Sequence, residues 1–395
     1  MNGRAALVAL DLRDLGRNRR GVARALREIG TRLLVMDRAR YRAVCCAAGV
    51  ELLEGVDPAQ LTVVSQHSQA VFEQFTLPIV ASRLGASVIY SHRECGALWG
   101  PPLLLHVTED PEIRWSREPL RSAAFSRGFS REIARRGYSR LLMNRALNRA
   151  RVVTSTHATV FDLERYHGVS PDRVTVVPLG VDLELFRPIE RGSDGSLPYF
   201  FHLSSDDPRE HTLAIIRAFA RLVGRLREPV RLVVGGDLGA SKRTFVEHIR
   251  DLDLSANVEL TGRVTDERLA ELYSGAVATV LACMDEGFGL QALEALACGS
   301  LMVSTPAPAT QEVAREADVE WTPLDVEHMA AAFEAVYKDR LRQNRATATN
   351  RRAASRFSWD ATAQQLHELL SEMVGEAQQP REVHRRPIPR VAKKQ

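Results

Sequence analysis

Between Glu286 and Gly299 the sequence reads EGFGLQALEALACG, and this stretch constrains the fold more tightly than any other. The apolar run before it, Ala276–Ala282, has the length and composition of a buried strand. Gly287 and Gly289 then permit a turn with close backbone approach, and the apolar spacing that follows predicts a helix beginning near Leu290. A strand, a glycine turn and a helix in this order present the unpaired N–H groups and positive potential of a helix start at a strand end. Glu286 stands at the mouth of the turn and Glu294 one turn into the helix. Such a receptor suits an anionic or hydroxyl-rich ligand, with the carboxylates taking sugar or ribose hydroxyls. The other reading is an ordinary strand–loop–helix connection carrying two surface glutamates. Glu294 weighs against it, because a carboxylate between Leu293 and Leu296 on an apolar helix needs a partner if buried.

The rest of the chain alternates in the same manner. Ala5–Leu12, Val88–Tyr90, Leu103–Val107, Val152–Ser155 and Val174–Val177 read as strands, with helices up to Val35, over Ser68–Leu84 and over Ala158–Tyr166. A turn-rich linker at 190–198 separates this from a second alternation, which starts with strand Tyr199–Leu203 and helix Thr212–Leu226. Helices dominate from Val326 to Gly375. The pattern predicts two α/β units with parallel sheets and ligands at the carboxyl ends of the strands. A length of 395 residues also exceeds what one core usually supports, so two domains are expected, 1–188 and 189–357.

Charge and cysteine content narrow the class. The net charge is +4, and residues 376–395 hold six basic and two acidic side chains, so the remaining body is neutral. With 6% aromatic residues and no dominant basic surface, nucleic acid is not an expected partner. No apolar run reaches the length of a membrane span, and MNGRAALVAL reads as a first strand rather than a secretory signal. Five cysteines without C-x-x-C spacing read as reduced thiols of a cytoplasmic protein. No Asp-x-Asp pair at a strand end and no His or Cys ligand spacing predicts a metal site, so no metal and no cofactor is expected. The tail 376–395, rich in Pro and Arg, is expected to be disordered.

The Glu286–Gly299 segment resembles the E-x7-E signature of the family-4 retaining glycosyltransferases. Other segments follow in that family's order: VVPLGVDLELFRP (176–188) is similar to its interdomain hinge, GRVTDERLAELYSGA (262–276) to its nucleotide-side helix and RFSWDATAQQL (356–366) to its closing helix. The resemblance covers residues 150–375 well and 1–150 loosely. It implies the GT-B architecture, two Rossmann-like domains facing across a cleft, with helix 358–375 packing back on the first. It also implies transfer of a sugar from a nucleotide-diphosphate donor to an acceptor hydroxyl with retention, without metal.

By the same resemblance Glu294 is to bind the ribose hydroxyls and Glu286 those of the transferred sugar. Gly287, Phe288, Gly289 and Leu290 are to offer backbone N–H groups, Phe288 and Leu290 having simple packing as their other reading. The loop HLSSDDPREHT places Arg209 on the family's diphosphate-binding Arg, but Glu210 stands where a Lys is common. The missing charge then falls to Arg209, with Arg263 or a first-domain arginine assisting. In LLLHVTEDP (103–111) either His106 is a cleft-facing catalytic histidine or Glu109-Asp110 replaces it; His106 reads equally as a hydrogen-bonded core residue. The Gly16–Gly21 loop is an acceptor or phosphate contact. Residues 114–151 hold eleven arginines and two glutamates, which suits a solvated charged helix, contact with an anionic membrane at the inner face, or an anionic acceptor. Two rival functions stay open, a non-catalytic GT-B partner protein, which Glu210 favours, and a sugar-nucleotide epimerase of the same architecture.

Overall fold

The computed structural model describes residues 6–16, 21–65, 68–93, 95–109, 129–190 and 197–379. Two parallel sheets organise it. The first contains β1 (Leu7–Asp11), β2 (Tyr41–Cys45), β3 (Leu61–Val63), β4 (Ala86–Ser91), β5 (Leu103–Val107), β6 (Arg151–Thr154) and β7 (Val174–Val176), in the order β3-β2-β1-β4-β5-β6-β7. The second contains β8 (Tyr199–Leu203), β9 (Arg231–Gly235), β10 (Val258–Gly262), β11 (Ala278–Leu281), β12 (Met302–Ser304) and β13 (Val319–Trp321), in the order β10-β9-β8-β11-β12-β13. Strand order reverses between β1 and β4 in one sheet and between β8 and β11 in the other. Doubly wound sheets bind ligands at the carboxyl ends beside such reversals, and Arg209 and Glu286 follow β8 and β11.

Five helices matter for the site: α1 (Gly21–Met36), α2 (Phe129–Arg149), α3 (Asp266–Gly275), α4 (Leu290–Ala297) and α5 (Trp359–Gln378). In α1 the apolar positions Leu26, Ile29, Leu33 and Leu34 recur at helical spacing, and all are buried. One apolar cluster runs from Val8, Leu10 and Tyr90 of the first sheet through Val177 and Phe186 to Leu293 and Leu296 of α4. A second, around Phe200, Phe219 and Phe333, covers the other face of the second sheet. Among the described residues no helix is long and apolar enough to cross a membrane.

The chain crosses from β7 to the second sheet and returns with α5, which packs on α1 and β4. Ser358 caps α5 by accepting from the N–H groups of Asp360 and Ala361. Leu366 and Leu370 are fully buried in this docking. Arg32 donates to Asp360 at 2.6 Å, and Tyr41 Oη lies 2.8 Å from His367 Nδ1.

The structure departs from the sequence expectations in several places. Strands β2, β3 and β13 were not anticipated; they are short, and Arg42 and Glu320 interrupt their apolar pattern. The closing helix runs to Gln378 rather than 375, because Glu376-Ala377-Gln378 favours helix and the first proline comes at 380. The remainder of the basic tail, residues 380–395, lies outside the described residues, as do Asp110, residues 114–128 of the arginine-rich stretch and residues 17–20 of the Gly16–Gly21 loop. The described part of the arginine-rich stretch is α2 with Ala150 and Arg151.

Gly180 sits where the crossover meets α5. A Cβ there would lie 2.1 Å from the backbone nitrogen of Trp359. Beside it, Thr362 donates to the Pro178 carbonyl at 2.7 Å. Gly180→Ala therefore overpacks the contact and is expected to cost ~1–3 kcal/mol in denaturant unfolding, with faster hydrogen exchange in α5. Unchanged stability and exchange would contradict this docking.

Candidate functional site

The turn between β11 and α4 forms the centre. Gly289 takes φ +90° as the residue before α4, a conformation that only glycine adopts readily. At Gly287 a Cβ would lie 2.2 Å from the Thr108 carbonyl oxygen, so this glycine admits the backbone of the first domain. Thr156 Oγ1 of the first domain donates to the Gly287 carbonyl at 3.2 Å. Phe288 is buried and packs edge-on against Phe357 at 5.7 Å, so its side chain has the packing role. Leu290 is half-buried and lines the cleft.

Glu294 is 5% exposed and points toward the first domain. Arg24 of α1 donates to it through Nη1 and to Asp266 through Nη2. Burial pushes the Glu294 carboxyl up to about 7, against the pull of the Arg24 charge. Arg24, Arg27 and Leu52 from the first domain and Ser205, Arg263, Asp266 and Glu294 from the second line a cleft of about 590 Å³. Arg263 is exposed and donates to Asp237 at 2.5 Å, at the rim of the same cleft.

A second pair of charges spans the domains in the opposite sense. Arg209 of the loop after β8 donates to Glu109 of the first domain, and also to Asp207 at 2.8 Å. Glu210 turns back on its own loop and accepts from the Ser205 N–H and, at 2.8 Å, from Ser205 Oγ. Glu286 lines a small pocket with His202, Glu210, Cys283 and Gln291; Glu210 and Gln291 also wall the larger cleft. Burial and then the nearby Glu109 charge push the Glu286 carboxyl up to about 7, while Arg209 opposes the rise.

The structure thus brings Glu286, Gly289, Leu290, Glu294 and Arg263 to the walls of two adjoining pockets, with Arg209, Glu109 and Gly287 at the contact between the domains beside them. His106 is not among them. It is fully buried in β5, with Nδ1 3.0 Å from Tyr90 Oη and Nε2 2.9 Å from Ser155 Oγ. Both nitrogens are occupied, so the expectation of a cleft-facing catalytic His106 is corrected to the core reading, and Glu109, two residues past the strand, is the residue of this segment that pairs with Arg209. Arg24 and Asp266 were not singled out from the sequence. Their contact joins residues far apart in the chain, and only the expectation of a first-domain arginine hinted at it. Among the described residues no group of three or more His, Cys, Asp or Glu side chains could hold a metal ion.

The raised Glu286 carboxyl has a pH consequence. Its stability contribution is fully present below the ordinary carboxylate range and is lost as pH rises through about 7. Glu286→Gln carries no such charge, so its stability relative to the parent should grow by roughly 1 kcal/mol or more between about pH 5 and pH 8. A difference that stays flat across that range would contradict the buried setting of this carboxyl.

Comparison with known proteins bears on the fold and on its second domain. Residues 188–354 match the family model described as Glycosyl transferases group 1. An MMP alpha-(1->4)-mannosyltransferase of Mycolicibacterium hassiacum is 31% identical over 271 residues, 66% of this chain and 61% of that enzyme. The chain therefore spans about six-tenths of that relative's length. Among solved structures, sucrose-phosphate synthase from Thermosynechococcus elongatus superposes with a TM-score of 0.71 at 17% identity, covering 94% of this chain and 100% of that one. Anabaena HepE in complex with UDP-glucose gives 0.69 at 19% identity, with coverages of 93% and 100%. At such identities the likeness speaks for the fold. Residues 188–354 accordingly form a glycosyl transferases group 1 domain, within a chain that has the GT-B fold.

Proposed function

We propose that this chain is a glycosyltransferase that moves a hexosyl group from a nucleoside-diphosphate sugar to an acceptor hydroxyl, with retention and without a divalent metal. The observation that carries the reading is the convergence of Glu294 and Glu286 on adjoining pockets at the carboxyl ends of β8 and β11, with the Arg209 charge acting on Glu286 from beside them. The matched relative named as a mannosyltransferase and the HepE structure holding UDP-glucose support the class of donor.

In this reading the donor lies along the 590 Å³ cleft. Glu294 accepts from the ribose hydroxyls, and Glu286, with backbone N–H groups at the start of α4, meets hydroxyls of the transferred sugar. Arg209 exchanges part of its pairing with Asp207 and Glu109 for the diphosphate. A fixed cation there stabilises the charge that develops on the leaving phosphate, which is the work a metal does in other sites. Arg263 assists from the rim. The site needs no enzymatic nucleophile if the leaving phosphate takes the acceptor proton. Surface contact with an anionic membrane is the reading that the charge of residues 114–151 supports.

The rival, a non-catalytic partner protein, draws on Glu210. Its carboxylate is held by Ser205, so it neither binds phosphate nor leaves the loop without a cation, because Arg209 remains. Turnover decides between the two. A panel of nucleoside-diphosphate hexoses should yield transfer or slow donor hydrolysis that persists in EDTA, with the product anomer matching the donor by NMR. Arg209→Ala should lower kcat/KM at least about tenfold, as expected for loss of a charge-assisted hydrogen bond worth roughly 1.5–3 kcal/mol. An inverted anomer, or activity lost in EDTA and restored by manganese, would overturn the mechanism. Absence of both turnover and nucleotide binding would overturn the assignment.

A further inference from the structure

Arg24 is the first-domain side chain most deeply committed to the second domain's acids. Its guanidinium sits between Glu294 and Asp266, one nitrogen to each, and stacks over the buried Phe186 ring at 5.1 Å from the centroid. Phe186 belongs to the crossover between the domains, Asp266 to the first turn of α3 and Glu294 to α4. Four segments therefore meet on one guanidinium whose side chain is 19% exposed, against 7% for Glu294. Only a forked, planar cation can serve two carboxylates in separate directions while lying flat on a ring.

We infer that Arg24 is a positioning residue of the donor site, which holds the Glu294 carboxylate charged and fixed at the cleft wall only while the two domains are closed. The inference rests on the reading of Glu294 as the ribose-binding group. Among the described residues the charged and titratable groups around Glu294 are Arg24 from α1, with Arg27 and Glu28 of the same helix lining the pocket, Asp266 and Tyr273 from α3, and Cys298 beyond the end of α4. Burial raises the Glu294 carboxyl and Asp266 adds to the rise, while Arg24 is the foremost group opposing both. Without Arg24 the carboxyl protonates at neutral pH and loses an acceptor for a ribose hydroxyl. Domain opening withdraws Arg24 and leaves the Glu294 carboxylate unfixed at the cleft wall, so nucleotide binding and closure favour each other.

The test titrates Glu294 directly in the full chain labelled with carboxyl-¹³C glutamate, its resonance assigned from Glu294→Gln. The Glu294 midpoint should rise by about 1–3 in Arg24→Ala, the span that an opposite charge at contact distance commands, and should return part of the way in Arg24→Lys. In parallel, UDP, GDP and ADP are titrated calorimetrically from about pH 6 to 9. For whichever diphosphate the parent binds, Arg24→Ala should bind at least about tenfold more weakly at pH 7, with the gap narrowing as pH rises and Glu294 ionises. An unmoved Glu294 midpoint in Arg24→Ala overturns the inference, whatever binds. A moved midpoint with no diphosphate bound by the parent instead sinks the donor-site reading and leaves the Arg24–Glu294 coupling standing.

Discussion

A carboxylate removed from water is costly unless a cation and hydrogen bonds accompany it, and this fold buries Glu294 and half-buries Glu286 at the end of one parallel sheet. Glu286 and Glu294 cannot both be satisfied from within the second domain, where their nearest charged neighbours include Asp266 and Glu210. The offsetting charge for Glu294 comes from Arg24 across the cleft. For Glu286 the opposing cation is Arg209, itself shared with Glu109 of the first domain. The two cross-domain pairs run in opposite senses, so each domain contributes one base and at least one acid. Sliding one domain past the other would break both pairs at once, which makes them a register as well as an attraction. Gly287 allows this closeness, since any side chain there would meet the Thr108 carbonyl.

The same arrangement gives Glu210 a physical account. A lysine at this position would add a positive charge to the loop after β8. Glutamate instead accepts from the Ser205 backbone and hydroxyl, so the loop is internally braced and the net positive charge of the cleft is reduced. What remains in the cleft wall is Arg24 and Arg27 from the first domain and Arg263 at the rim, with Arg209 of the second domain beside Glu286. In such a cleft the cations depend on closure to a greater degree than a loop lysine would, because two of them belong to the opposite domain.

Much of this was legible locally. The turn at Gly287–Gly289, the start of α4 at Leu290 and the placement of Arg209 after a strand follow from short-range periodicity and glycine spacing, and the structure has them there. His106 was ambiguous because three leucines before it fit a strand whose inward and outward faces look alike. β5 lies inside a parallel sheet covered on both sides, so every residue of it is interior, and the polar atoms of His106 find Tyr90 and Ser155. One end of the first sheet was missed for the opposite reason: β3 is short, and Arg42 breaks the apolar run of β2 beside it. Arg24 could not be singled out at all. Its helix is amphipathic in the ordinary way, and its partners at 266 and 294 come near only after two domains fold and α5 ties the chain back.

The central claim, that Glu294 reads the ribose of a nucleotide donor, is tested most directly by changing the ribose. Calorimetric affinities of a nucleoside diphosphate and its 2′-deoxy analogue should differ by about tenfold or more in the parent, the range of one hydrogen bond to a charged group. In Glu294→Gln that preference should shrink to near equality. Equal affinities in the parent, or a ribose preference that survives Glu294→Gln intact, would contradict the account.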